Sequence, residues 1–122
     1  MIRNFLLVAA GGAIGTMMRY ATSLLLPVKN FPAATLFINI AGSFAIGIIM
    51  ALSVRSVSHM SETTRLFLAT GICGGFTTFS TFSYENMQLL QSGKYSLAFI
   101  YIIVSVVLGL AAVLAGFKLF NA

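Results

Sequence analysis

Hydrogen-bond donors stand out against an otherwise apolar sequence. Thr35, Asn39, Thr70, Thr77, Thr78, Ser80, Thr81, Ser83, Tyr101 and Ser105 fall inside long hydrophobic stretches, whereas the chain has no aspartate and only two glutamates, Glu62 and Glu85. Donors without nearby acids suit an anion, because a dehydrated anion needs N–H, O–H or ring-edge hydrogens around it. Phe79 and Phe82 lie three residues apart, so on a helix they share a face. An aromatic ring has a positive edge. Two edges directed inward would hold a small anion without trapping it, which is the balance that conduction requires.

Other chemistry is poorly supplied. There is no phosphate-binding loop, no metal-ligand cluster and no nucleophile–base pair, so catalysis is not expected. Proton-coupled transport usually needs an acid within the membrane, and the first, second and fourth apolar stretches contain none. His59 sits in a polar loop and reads as a solvated residue. The single cysteine, Cys73, forms no internal disulfide and reads as a small packing residue.

Each candidate also has a plain structural role open to it. Asn39 can bond a neighbouring helix, and Phe79 and Phe82 can pack or face lipid. Serine and threonine in membrane helices often bond back to their own backbone. Glu85 can lie at a membrane end in water, and Arg19 can be an interfacial anchor. The grouping of these features around one short segment is more specific than any member.

The elements that position them follow from composition. Charged residues make up 7% of the 122, hydrophobic residues 59%, and mean hydropathy is +1.01. So few charges cannot cover that much apolar surface in water, so lipid is the expected solvent. A membrane-crossing helix needs about 20 mostly apolar residues. Four such stretches are present, about 4–26, 33–54, 64–90 and 95–119, and between them only short loops remain. The expected fold is an all-α integral membrane domain over 1–122. Arg3 before an apolar run resembles the start of a signal peptide, but the run goes on for about 20 residues, so a retained helix is expected. The net charge of +5 comes from scattered single cations, which suit membrane ends rather than nucleic acid.

Within these spans, Gly11 and Gly15, and then Ser43, Gly47 and Ala51, repeat small residues at helix-packing spacing. Tyr101, Ser105 and Gly109 recur every four residues on the last span. The third span is unusual: TGICGGFTTFSTFS, residues 70–83, holds nine Gly, Ser or Thr in fourteen. Gly74-Gly75 weakens a helix, and Thr77 and Thr78 can cap a new one. Two half-helices are expected to meet in mid-membrane, the first ending near Gly74 and the second beginning near Thr77–Phe79. Irregular backbone at that depth is tolerated only where it is buried or lines a cavity. The carbonyls of Gly74 and Thr77 are then placed to hold a buried cation.

Four crossings put Arg3, Arg55, Arg65 and Lys118 on one side, and Lys29 and Lys94 on the other, with Arg19 joining the second group if it snorkels outward. So weak a bias permits insertion in both directions. An antiparallel, dual-topology homodimer would follow, its second copy supplying the remaining walls of a polar path.

The sequence resembles the fluoride-ion channel family (Fluc/CrcB) over essentially its whole length. The motifs are GGAIGTMMRY at 11–20, TLFINIAGSFAIG at 35–47 and, most specific, GICGGFTTFSTFS at 71–83. The resemblance implies a dual-topology homodimer with two pores in the inner (cytoplasmic) membrane, passively exporting fluoride. It implies that Phe79 and Phe82 contact fluoride, with Ser80 between them. Asn39 would be the pore amide, with Thr35 one turn earlier. Arg19 would stand near a vestibule, and Tyr101 and Ser105 would form a polar track. Glu85 would be the acid after the second phenylalanine. Gly74 and Thr77 would give carbonyls to a sodium ion on the dimer axis. The chain departs from some relatives at Gly109, where they carry a further hydroxyl. The other classes weighed are a small multidrug-type transporter, which would need an acid in the first span, and a non-transporting membrane subunit.

Overall fold

The computed structural model describes residues 1–55 and 60–121; His59, read above as a solvated loop residue, lies outside them. Four helical spans are long and apolar enough to cross a membrane: Ile2–Leu25, Ala33–Val54, Glu62–Gln91 and Tyr95–Phe120. Helices α1 (Ile2–Leu25) and α2 (Ala33–Val54) are continuous. The third span comprises α3 (Glu62–Arg65), a π-helical stretch Leu66–Cys73, a single turn α4 (Gly74–Phe76) and α5 (Phe79–Gln91). Helix α6 (Tyr95–Asn121) completes the fold.

Local chemistry sets the ends. α1 stops just before Pro27, which has no N–H to continue it. The Ser61 hydroxyl caps α3 by accepting from the Thr64 N–H. α5 ends in a Schellman turn, with the Lys94 N–H donating to the Leu89 carbonyl and the Gly93 N–H to the Leu90 carbonyl. Gly93 has φ of 78°, a left-handed conformation that a Cβ would strain.

The spans pack as two parallel pairs. Gly11 lies against Phe67 and Gly71, and Gly15 against Ile72 and Phe76, so α1 and the third span ascend together. Ser43 lies beside Gly109, and Gly47 beside Val113 and Phe117, so α2 and α6 also run in register. Contact between the two pairs is much sparser than within them. Without a hydrophobic drive inside lipid, such close backbone approach supplies the attraction between helices. Much of the outer apolar surface stays uncovered, including Phe5, Leu25 and Phe79.

The break lies two residues later than the glycines suggest. Gly74 keeps helical angles, and α4 continues through Phe76 before Thr77 and Thr78 become extended. Gly75 instead serves contact, since a Cβ there would strike the Gly12 carbonyl oxygen of α1. The break has a consequence for packing. The half before it runs along α1, whereas the half after it packs on the start of α6 through Phe82, Leu89, Ala98 and Tyr101. The third span thus crosses from one pair to the other at Thr77–Thr78.

Candidate functional site

Asn39, on α2, decides where the third helix breaks. Its Oδ1 accepts from the Thr78 N–H at 2.9 Å, and its Nδ2 donates to the Thr78 carbonyl at 3.0 Å. In a continuous helix that N–H would bond Gly74. The Thr81 N–H, which would bond Thr77, goes instead to the Thr78 hydroxyl that caps α5. Gly74 and Thr77 thereby lose their helical donors, and both line a cavity of about 310 Å³ together with Asn39, Ser43, Thr78 and Phe79. The neighbouring Gly75 carbonyl accepts from Arg19 Nε at 3.1 Å. Arg19 is therefore drawn inward to the break rather than outward to the membrane surface. It also lines a second cavity, of about 380 Å³, together with Thr16, Ser23, Thr35, Thr78 and Thr81.

A second cluster lies where α5 meets α2 and α6. Glu85 Oε2 accepts from the Thr35 hydroxyl at 3.0 Å, and Oε1 from the Tyr101 hydroxyl at 2.9 Å. Thr35 and Tyr101 are buried, Tyr101 completely. The Tyr101 ring meets Phe82 edge-on at 5.0 Å between centroids and Phe31 at 5.3 Å. Phe82 in turn stands 5.8 Å from Phe79, tilted by 45°. Phe79, Phe82, Tyr101, Glu85 and Thr35 thus form one contiguous series.

Two expected donors are less free than their sequence setting suggests. Thr35 and Tyr101 lack acids on their own spans, yet both hydroxyl protons are committed to Glu85, which comes 50 residues after one and 16 before the other. Ser80 is exposed, with its hydroxyl 3.4 Å from that of Thr78. The buried Ser105 hydroxyl has no partner among the described residues. It lies one turn after Tyr101 on α6 and joins no contact of the aromatic series. Ser43, read from spacing as a packing residue, lines the cavity at the break, and its hydroxyl lies 3.8 Å from where a Cβ at Gly109 would stand. Sequence reasoning missed Phe31 and Asn86. Phe31 borders a loop, and Asn86 is buried with its Nδ2 on the Phe82 carbonyl. No local pattern marks either.

Glu85→Gln tests the second cluster. Glutamine retains one acceptor oxygen for two buried donors. The orphaned hydroxyl is expected to cost about 1–3 kcal/mol, read as a lower circular-dichroism melting midpoint with helix content retained. An unchanged midpoint would show that the carboxylate is not what holds Thr35 and Tyr101.

Among the described residues, no three His, Cys, Asp or Glu side chains come together as a metal site. The backbone oxygens at the break offer different ligands, of the kind that suit a hard cation.

These features define a multi-pass membrane protein whose third span is broken around polar cavities. Comparison with known proteins then gives the family: the chain matches the profile described as CrcB-like protein, Camphor Resistance (CrcB), over residues 6–117, and it belongs to that family. Its relatives include proteins named fluoride-specific ion channel FluC. One from Azobacteroides pseudotrichonymphae is 42% identical over 122 residues, covering 98% of this chain and 97% of the relative. One from Agrobacterium fabrum is 47% identical over 119 residues, covering 95% and 94%. One from Thermus thermophilus is 44% identical over 121 residues, covering 97% and 95%.

Proposed function

We propose that this protein is a fluoride channel that lets the ion leave the cell passively and so lowers cytoplasmic fluoride. It is a channel, not an enzyme. The observation that carries this is the broken third span, where Asn39 holds the backbone open beside Phe79 and Phe82. The names of the relatives supply the ion. A multidrug-type transporter is not favoured, because α1 carries no carboxylate.

Fluoride would move in a nearly dehydrated state past ring edges, hydroxyls and an amide. Asn39 has a second amide hydrogen beyond the one given to Thr78, and Arg19 has guanidinium N–H groups beyond Nε. Positive ring edges of Phe79 and Phe82 would replace water without binding so tightly that the ion cannot leave. For the ion to use the Thr35 and Tyr101 protons, these hydroxyls must turn from Glu85. Ser80 and Ser105 would add donors along the path.

The working unit would be an antiparallel homodimer in the inner (cytoplasmic) membrane. With Arg19 bonded inward, the cations flanking the spans stand at four, Arg3, Arg55, Arg65 and Lys118, against two, Lys29 and Lys94. A bias that small suits insertion in both orientations. The second copy would cover the exposed Phe79 and bring its own Gly74 and Thr77. Sodium fits there, because these carbonyls have lost their helical donors and border a cavity. A cation would supply fixed positive charge against the negative C-terminal end of the first half-helix of each copy.

The test is efflux from liposomes loaded with potassium fluoride, with valinomycin to carry compensating potassium and chloride as the parallel control. Fast fluoride release with little chloride release is expected. No release from folded protein would overturn the assignment. Phe79→Ile and Phe82→Ile should each slow fluoride release while leaving the size-exclusion profile of the dimer intact. Wild-type flux in both would remove the rings from the pathway.

A further inference from the structure

A cavity of about 200 Å³ lies where the loop from α1 to α2 meets the turn from α5 to α6. Lys29, Asn30, Gln88, Ser92 and Lys94 line it, with Glu85 among the walls. Both lysines are exposed, and neither has an ion-pair partner among the described residues. Glu85 is the one acid in the lining, and each of its carboxylate oxygens already accepts a hydroxyl proton from Thr35 or Tyr101. The lining therefore carries two lysines against one carboxylate whose oxygens are both occupied, together with amide and hydroxyl side chains. This arrangement suits an anion larger than a halide.

The setting selects among anions. These loops connect spans, so the cavity lies where the chain leaves the hydrocarbon for the headgroup region. The helix ends that lead into these loops carry uncovered apolar side chains: Leu25, at the end of α1, is 80% exposed, and Tyr95 and Phe99, in the first two turns of α6, are 60% and 62% exposed. A free anion would meet the lysines and leave that surface uncovered. An amphiphile satisfies both. We propose that the cavity holds the phosphate-bearing headgroup of an anionic phospholipid, with its acyl chains along the exposed face of α6. The site ties the α1–α2 connection to the α5–α6 turn through a shared lipid. Neither lysine belongs to the proposed pathway, although the cavity shares Glu85 with it.

The test is native mass spectrometry of delipidated protein in detergent, titrated with phosphatidylglycerol or phosphatidylcholine. Phosphatidylglycerol is expected to bind preferentially. In K29Q/K94Q that preference should fall about thirtyfold, from the surface-potential scale for two basic residues. K29R/K94R should keep it, and inorganic phosphate should not displace the lipid. Folding of each variant is checked by circular dichroism, as the chain has no tryptophan. Equal binding of both lipids would overturn the proposal and leave the lysines as boundary anchors. So would an unchanged preference in K29Q/K94Q. Displacement by inorganic phosphate would reassign the cavity to a free anion.

Discussion

Asn39→Leu is expected to abolish most fluoride efflux while the protein still inserts. Leucine keeps asparagine's branched side-chain shape but offers nothing to Thr78, whose N–H and C=O both depend on the Asn39 amide. An unsatisfied buried group costs about 1–3 kcal/mol, and more where no water can reach it. The smallest rearrangement that repairs this is for the Thr78 N–H to return to the Gly74 carbonyl, which would extend the helix through the break. α5 would then leave its seat on α6, and Phe82 would part from Tyr101. Efflux should drop at least about tenfold, equivalent to ~1.4 kcal/mol in the barrier. Liposome flux with a fluoride electrode measures it. Full flux from a folded Asn39→Leu variant would mean that something other than this amide holds the break open.

Gly15→Leu should yield no folded protein. Any Cβ at this position would overlap the Ile72 carbonyl oxygen and crowd the Phe76 nitrogen, and both are backbone atoms that cannot rotate aside. The penalty should therefore exceed the ~1–3 kcal/mol usual for an overfilled core. Gly12→Ala is the matched control, because a Cβ there meets nothing within 4 Å. Size-exclusion profiles and melting midpoints of the two variants should diverge sharply. A monodisperse, helical Gly15→Leu would show that α1 does not need to lie this close to the third span.

The spans are legible in the sequence because hydropathy and length alone set them, and α2 ends where the apolar stretch does. The break is legible to within two residues, since Gly-Gly followed by Thr-Thr is poor material for a continuous helix. What makes the break is not. Asn39 and Thr78 are 39 residues apart, and nothing local says that one amide will take both backbone groups of the other. Distance hides Glu85 in the same way, as an acid absent from the second and fourth spans reaches donors on both. Glycine spacing marks the contact points on α1, but on the third span the same residue type suggests only a weakened helix. Gly75 is there for the Gly12 carbonyl. Arg19 has two equal readings in the sequence, and only its bond to Gly75 separates them. The π-helical stretch Leu66–Cys73, where the Gly74 N–H reaches back five residues to Ala69, has no signature in residue type.

The pairing of alternate spans also bears on biosynthesis. During translation α1 enters the bilayer first, yet its close partner emerges only after α2 and the loop beyond it. α2 must likewise wait for α6, made last. Hairpins of successive helices, which could lock as they leave the translocon, contribute little here. Until its partner is made, each keeps its glycine face open to lipid or to other proteins, and α2 does so until the chain is nearly complete. Loss of the final helix would thus remove one pair outright and also strip α5 of its support, so a truncated chain should be a substrate for membrane proteases rather than a partly working product.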